Sequence, residues 1–142
     1  MLESKSLDEK IAALVPEVVA TLRTELQQAL RTLRDAQSPI GVLLTLSRLS
    51  LRLVGEVLAK AGHKRPSDNL YDCIATAARG DDEKKIKGLR ILPDEMASYL
   101  HTIRTFSNKA DHDAERVMLT IDDAENALRL FLRVLEWFYC ES

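Results

Sequence analysis

The sequence predicts an all-α protein, an up-and-down bundle of about five helices, and three observations carry that prediction. Turn residues are scarce, with 5 Gly and 4 Pro in 142 residues, too few for a β-sandwich whose turns recur every ~8–12 residues. Leu and Ala supply most of the apolar weight, as helices favour. Apolar residues recur at steps of three and four rather than alternating. A hydrophobic content of 46% beside 30% charged residues also excludes a mainly disordered chain.

Residues 7 to about 36 carry Leu7, Ile11, Leu14, Val18, Leu22, Leu26, Ala29 and Leu33 on one narrow helical face. Pro16 interrupts the pattern, as a kink or as the end of a short first turn. Polar flanks suit an N-terminal helical arm (residues 1–37) docked on a bundle (residues 38–142), or else a dimer seam. Ser38-Pro39 starts the second helix, with proline in the first turn where its missing N–H costs nothing. This helix runs to about Ala61, stops at Gly62, and is apolar on nearly every side. Arg48, Arg52, Glu56 and Lys60, each four residues apart, form its polar stripe. The stripe is either a wet edge with pairs such as Arg52–Glu56 and Glu56–Lys60, or a line that points Arg48 and Arg52 into a polar site.

Ser67 or Asp68 is placed to cap a third helix from about Asn69 to Arg79. Gly80 and Asp81-Asp82 end it, and Glu83 to Lys87 is expected as one more helical turn before Gly88. Leu92-Pro93-Asp94-Glu95 opens the fourth helix, its two acids meeting the positive end of the helix dipole. Thr120 and Asp123 form a capping-box variant for the fifth, which runs to about Cys140. That helix has two apolar rows: Ile121, Ala124, Leu128, Phe131, Leu135 and Phe138, and beside them Ala127, Leu130, Val134 and Trp137. One stripe is enough for a bundle helix, so the second implies a deeply central helix or a subunit contact in a homodimer.

With 20 Lys and Arg against 22 Asp and Glu, the net charge is −2, and no whole-protein basic field draws the chain to nucleic acid. The charge is uneven: residues 48 to 90 hold ten Lys and Arg against six Asp and Glu, a solvated face or a set of phosphate contacts. Cys73 and Cys140 have no Cys or His neighbours at metal-ligand spacing, and neither a metal nor a cofactor is implied. No signal-peptide pattern opens the chain and no apolar run approaches ~18 residues. The expected setting is therefore the reducing cytoplasm, with no membrane contact.

The fourth helix is the richest in chemistry. At 100° per residue Met96, Tyr99, Leu100, Ile103, Ser107 and Ala110 share one face. His101, Arg104, Asn108 and, if the helix lasts, His112 share another. Such a line can bind an anion, or close a polar site with a neighbouring helix. Equally, Asn108 can cap the helix and His112 can tie down the loop that follows.

Several segments follow one another in a familiar order. Pro39 precedes a Leu-rich helix containing Arg52-Leu-Val-Gly-Glu56; then come Asp68-Asn-Leu-Tyr-Asp-Cys-Ile74, Leu92-Pro93, Ile103-Arg104-Thr-Phe-Ser-Asn108-Lys-Ala-Asp-His112, and a closing Trp137-Phe-Tyr139. Over residues 38–140 this order resembles the domain of unknown function numbered 4145, a branch of the HEPN superfamily. The resemblance implies a helical bundle that often dimerises and accompanies restriction, kinase and phage-defence proteins. Catalytic members of the superfamily are metal-independent ribonucleases in which an Arg and a His, about four to six residues apart, meet their dimer mates in a cleft; the His moves the proton and the Arg steadies the phosphate. The matching residues here are Arg104 and His112, with Asn108 as a polar aid. Seven residues separate the pair, and Ser107 stands where the family has Gly. On an unbroken helix the two would lie about 12 Å apart along the axis.

The leading expectation is thus a non-catalytic interaction and dimerisation module of a prokaryotic defence or nucleic-acid-processing system. The rival is a ribonuclease working through Arg104 and His112. A phosphate- or nucleotide-sensing module using Arg48, Arg52 and Arg104 is the third reading.

Overall fold

The computed structural model describes residues 20–36, 38–112 and 118–141. The expectations placed on Leu7, Ile11, Leu14, Pro16 and Val18 lie outside the described residues. The architecture is an all-α helical bundle with one small hairpin: α1 (Ala20–Arg31), α2 (Pro39–Lys60), α3 (Leu70–Ala77), β1 (Gly80–Asp81), β2 (Ile86–Lys87), α4 (Asp94–Ala110) and α5 (Ile121–Glu136). α1 and α5 each continue into a π-helical turn, Thr32–Ala36 and Trp137–Glu141. Among the described residues no helix is long and apolar enough to cross a membrane.

α2 forms the axis, touching α1, α3, α4 and α5. Val42, Leu43, Leu46, Leu49, Leu53 and Leu58 are fully buried along it, each such side chain contributing about 1.5–3 kcal/mol of burial. The helix starts at Ser38-Pro39 as expected, and Ser38 caps it, its hydroxyl accepting from the Gly41 N–H at 3.3 Å. Leu22, Leu26, Leu30 and Leu33 of α1 and its π turn are buried in the same core as the bundle. The described part of the arm is therefore docked.

Three local expectations need correction. The third helix is capped by Asn69, whose side chain accepts from the Asp72 N–H at 3.0 Å, rather than by Ser67 or Asp68; Ser67 instead accepts from the Asn69 N–H. α3 also stops at Ala77, two residues early, because residues 89–92 fold back onto its last carbonyls. The Leu89 N–H reaches the Thr76 oxygen, those of Ile91 and Leu92 reach Ala77, and that of Arg90 reaches Ala78. Finally, Glu83–Lys87 is no helical turn. Gly80–Asp81 pairs antiparallel with Ile86–Lys87, and Asp81 Oδ1 accepts from the Lys84 N–H to close the turn. Gly80 (φ +84°) and Gly88 permit this, since a Cβ on Gly88 would lie 2.2 Å from the Arg79 carbonyl carbon.

α4 and α5 start where their local chemistry puts them. The capping box of α5 is complete, Thr120 accepting from the Asp123 N–H and Asp123 from the Thr120 N–H. The second apolar row of α5 is largely taken up inside the chain: Ala127 and Val134 are fully buried, and Leu130 and Trp137 are half-buried against the core. The central-helix explanation accounts for most of that row. α2 and α4 meet closely at Ser107, where the buried hydroxyl donates to the Leu43 carbonyl at 2.9 Å, with the Ile103 carbonyl at 3.0 Å as the alternative acceptor.

Candidate functional site

Tyr71, in the first turn of α3, sits at the centre of the polar chemistry. Its position follows from the helix itself: Cys73, Ile74 and Ala77 turn inward, which sends Tyr71 sideways toward α4 and the hairpin. Its phenol donates to Asp81 Oδ2. The Lys84 ammonium lies 4.4 Å from the ring centre and the Arg104 guanidinium 5.1 Å, both within cation–π range. The His101 ring stands 5.3 Å away, tilted by 42°. Arg104 Nε also makes a long contact, 3.5 Å, with His101 Nδ1.

The electrostatics agree with that geometry. Burial of the His101 ring, with the Arg104 cation beside it, holds the imidazole below its ordinary pKa. A neutral ring suits the approach of the Arg104 Nε–H to Nδ1. The hydrogen bond from Tyr71 draws Asp81 below the usual carboxylate range, and the same bond, with the carboxylate charge, lifts the tyrosine.

Tyr71 separates two recesses. One, of about 440 Å³, lies between α3 and α4, with Ala75, Ala78 and Ala97 as its floor, His101 and Thr102 on its wall, and the Arg79–Asp94 ion pair (3.4 Å) at its edge. The other, of about 510 Å³, runs between α2, the start of α3, and α4. Arg48, Arg104 and Asn108 line it together with Leu44, Leu51 and Leu70.

The expected site residues thus divide into groups. His101 and Arg104 touch, and Arg104, Asn108 and Arg48 share one groove. Arg52 faces a third recess with His63, Lys64 and Arg65. Both Arg48 and Arg52 reach Glu25 on α1, at 3.7 and 3.1 Å. His112 is exposed just beyond the end of α4, its N–H bonded to the Lys109 carbonyl, and is not among the residues lining the groove of Arg104 and Asn108. Tyr71, Asp81 and Lys84 are not picked out by sequence reasoning. The one signal for them is a tyrosine beside, rather than on, the apolar face of a short helix, ten residues before an acidic turn.

No family model matches the chain, and no solved structure does. Among curated proteins it is similar to the V-type proton ATPase B 2 subunit of Acetabularia acetabulum, 34% identical over 101 residues, covering 68% of this chain and 20% of the relative. It is also similar to the B 1 subunit of the same ATPase and organism, 31% identical over 106 residues, covering 72% and 22%. The chain spans about a fifth of the length of these relatives.

Proposed function

We infer that the chain is a non-catalytic, HEPN-like interaction and dimerisation module, acting by contact within a prokaryotic defence or nucleic-acid-processing system. The observation that carries this reading is the separation of the resemblance's two catalytic candidates. Arg104 lies over Tyr71 and against His101, whereas His112 follows the end of α4, outside the groove that Arg104 lines. The resemblance's ribonucleases assemble this pair with a dimer mate; here Arg104 is instead engaged by Tyr71 and His101 of its own chain, which supports a contact role.

The test joins two measurements on the full chain. Sedimentation velocity up to high micromolar concentration is expected to show self-association, and varied RNAs incubated in EDTA are expected to stay intact with wild type and His112→Ala alike. Cleavage in EDTA that His112→Ala abolishes would replace this reading with the ribonuclease, and a strictly monomeric chain would remove the homodimer. A second reading, a phosphate- or nucleotide-sensing module, is favoured by the presence of Arg48, Arg104 and Asn108 in one groove. Nucleotide binding that survives Arg104→Ala and Arg48→Ala unchanged would remove it.

A further inference from the structure

We propose that the groove between α2, α3 and α4 is a docking surface for an acidic, amphipathic peptide segment of a partner protein. This rests on the interaction-module reading and names the surface and the chemistry it selects. The floor is aliphatic, built from Leu44, Leu51 and Leu70. Leu44 is 39% exposed and, among the described residues, shares with Met118 the distinction of being a large hydrophobic side chain left in water. Every other position of α2 that carries a leucine is buried or half-buried, so exposure at this point comes from an open groove and not from a frayed helix.

The rim gives the groove its sign. Arg48, with a side chain 60% exposed, stands on one side and Arg104 on the other. Glu25 approaches Arg48 only at 3.7 Å and shares its carboxylate with Arg52 at 3.1 Å. The single acid among the lining residues, Asp68, is met from outside the groove by Arg65 at 3.3 Å. An occupant therefore meets positive charge on two sides of an apolar strip. A segment with an aliphatic anchor flanked by carboxylates matches that pattern, since the anchor covers Leu44 while the carboxylates face two guanidinium groups able to bind them through paired N–H donors. A basic segment would set like charges against each other at both rims. The groove's volume, about 510 Å³, accommodates a few side chains and not a whole domain face, so the interaction is of the short-segment type, weak and salt-sensitive.

The experiment is a selection from a random-peptide display library on the full chain, followed by titration of the enriched peptides against wild type, Leu44→Ser and Arg48→Gln. Both side chains are at the surface, so both variants keep the fold, and circular dichroism verifies it. Enriched peptides are expected to combine Asp or Glu with an aliphatic residue, to lose about tenfold in affinity with each substitution, and to weaken as salt rises. Enrichment without an acidic bias, or affinity untouched by both substitutions, overturns the proposal. So does a single-stranded RNA that displaces the peptide and binds more tightly through Arg48, which would make the groove a nucleic-acid surface. Self-association that Leu44→Ser abolishes would also overturn it, assigning the groove to a second copy of the chain. That last outcome leaves the interaction-module reading standing, whereas cleavage of RNA in EDTA would remove both.

Discussion

α2 and α4 each carry a line of charged or polar side chains at helical spacing, and the two lines end up in different environments. On α2, Arg48, Arg52, Glu56 and Lys60 are all exposed, and the two arginines share Glu25 from the neighbouring helix. On α4, His101 and Arg104 are half-buried against Tyr71, which the hairpin holds through Asp81. The same periodicity therefore yields an exposed edge on α2, where the arginines meet a shared acid and Lys60 lies over the Phe138 ring, and a half-buried polar cluster on α4, where the neighbouring tyrosine is itself held by the hairpin. What a polar stripe does is decided by the element that packs beside it.

The largest expected effect comes from removing that neighbour without touching either line. Gly88→Ala forces a Cβ into the Arg79 and Ala78 backbone and should open the hairpin, costing about 1–3 kcal/mol of stability. Amide exchange at Leu89, Arg90 and Ile91 should accelerate while the amides of α2 stay protected. Unchanged exchange at those three positions would show that the hairpin accommodates the added methyl without opening.

A smaller effect distinguishes the lines by pH. Because the folded state holds His101 below its ordinary pKa of about 6.5, the ring is neutral in both states above that value and its contribution is complete there. As pH falls below about 6.5 the unfolded chain takes up the proton first, and stability declines until the folded ring titrates as well. His101→Gln should flatten this part of the stability profile. Arg104→Gln should raise the His101 pKa followed by NMR, since the neighbouring cation is one of the two causes that depress it. A separate decline at lower pH, in the carboxylate range, belongs to Asp81.

The smallest effect is expected on the α2 line. Glu25→Gln removes the shared acid of Arg48 and Arg52 and should change stability by less than about 1 kcal/mol, the usual worth of exposed ion pairs. A cost well above that would mean that the α2 line is as ordered as the α4 cluster.

How much can be read in advance depends on how local the chemistry is. Ser38-Pro39, Pro93-Asp94-Glu95 and the Thr120–Asp123 box announce three helix starts because caps are settled within one turn. The start of α3 is harder to place, to within one or two residues, because Ser67, Asp68 and Asn69 are all competent caps. Their roles sort only when Ser67 takes the Asn69 N–H. The hairpin is hidden for a different reason. Asp82 to Lys85 has the composition of an ordinary helical turn, and the decisive contact, between the Gly80 and Gly88 backbones, joins residues eight apart. His101 and Arg104 are legible as a pair by spacing. Tyr71 is not, because its partners arrive from the hairpin and from α4.

Ser107 ties these observations to the groove. Its hydroxyl bonds the Leu43 carbonyl, and the next residues along the two helices, Asn108 and Leu44, line the groove itself. The distance between the groove's walls is thus set from behind, by one small side chain in the core. A bulkier residue at position 107 would push α2 and α4 apart and widen the opening in the same movement. For this protein, changing what the groove admits and changing how tightly the bundle packs are one mutational event, so its recognition surface can drift only as far as its core can follow.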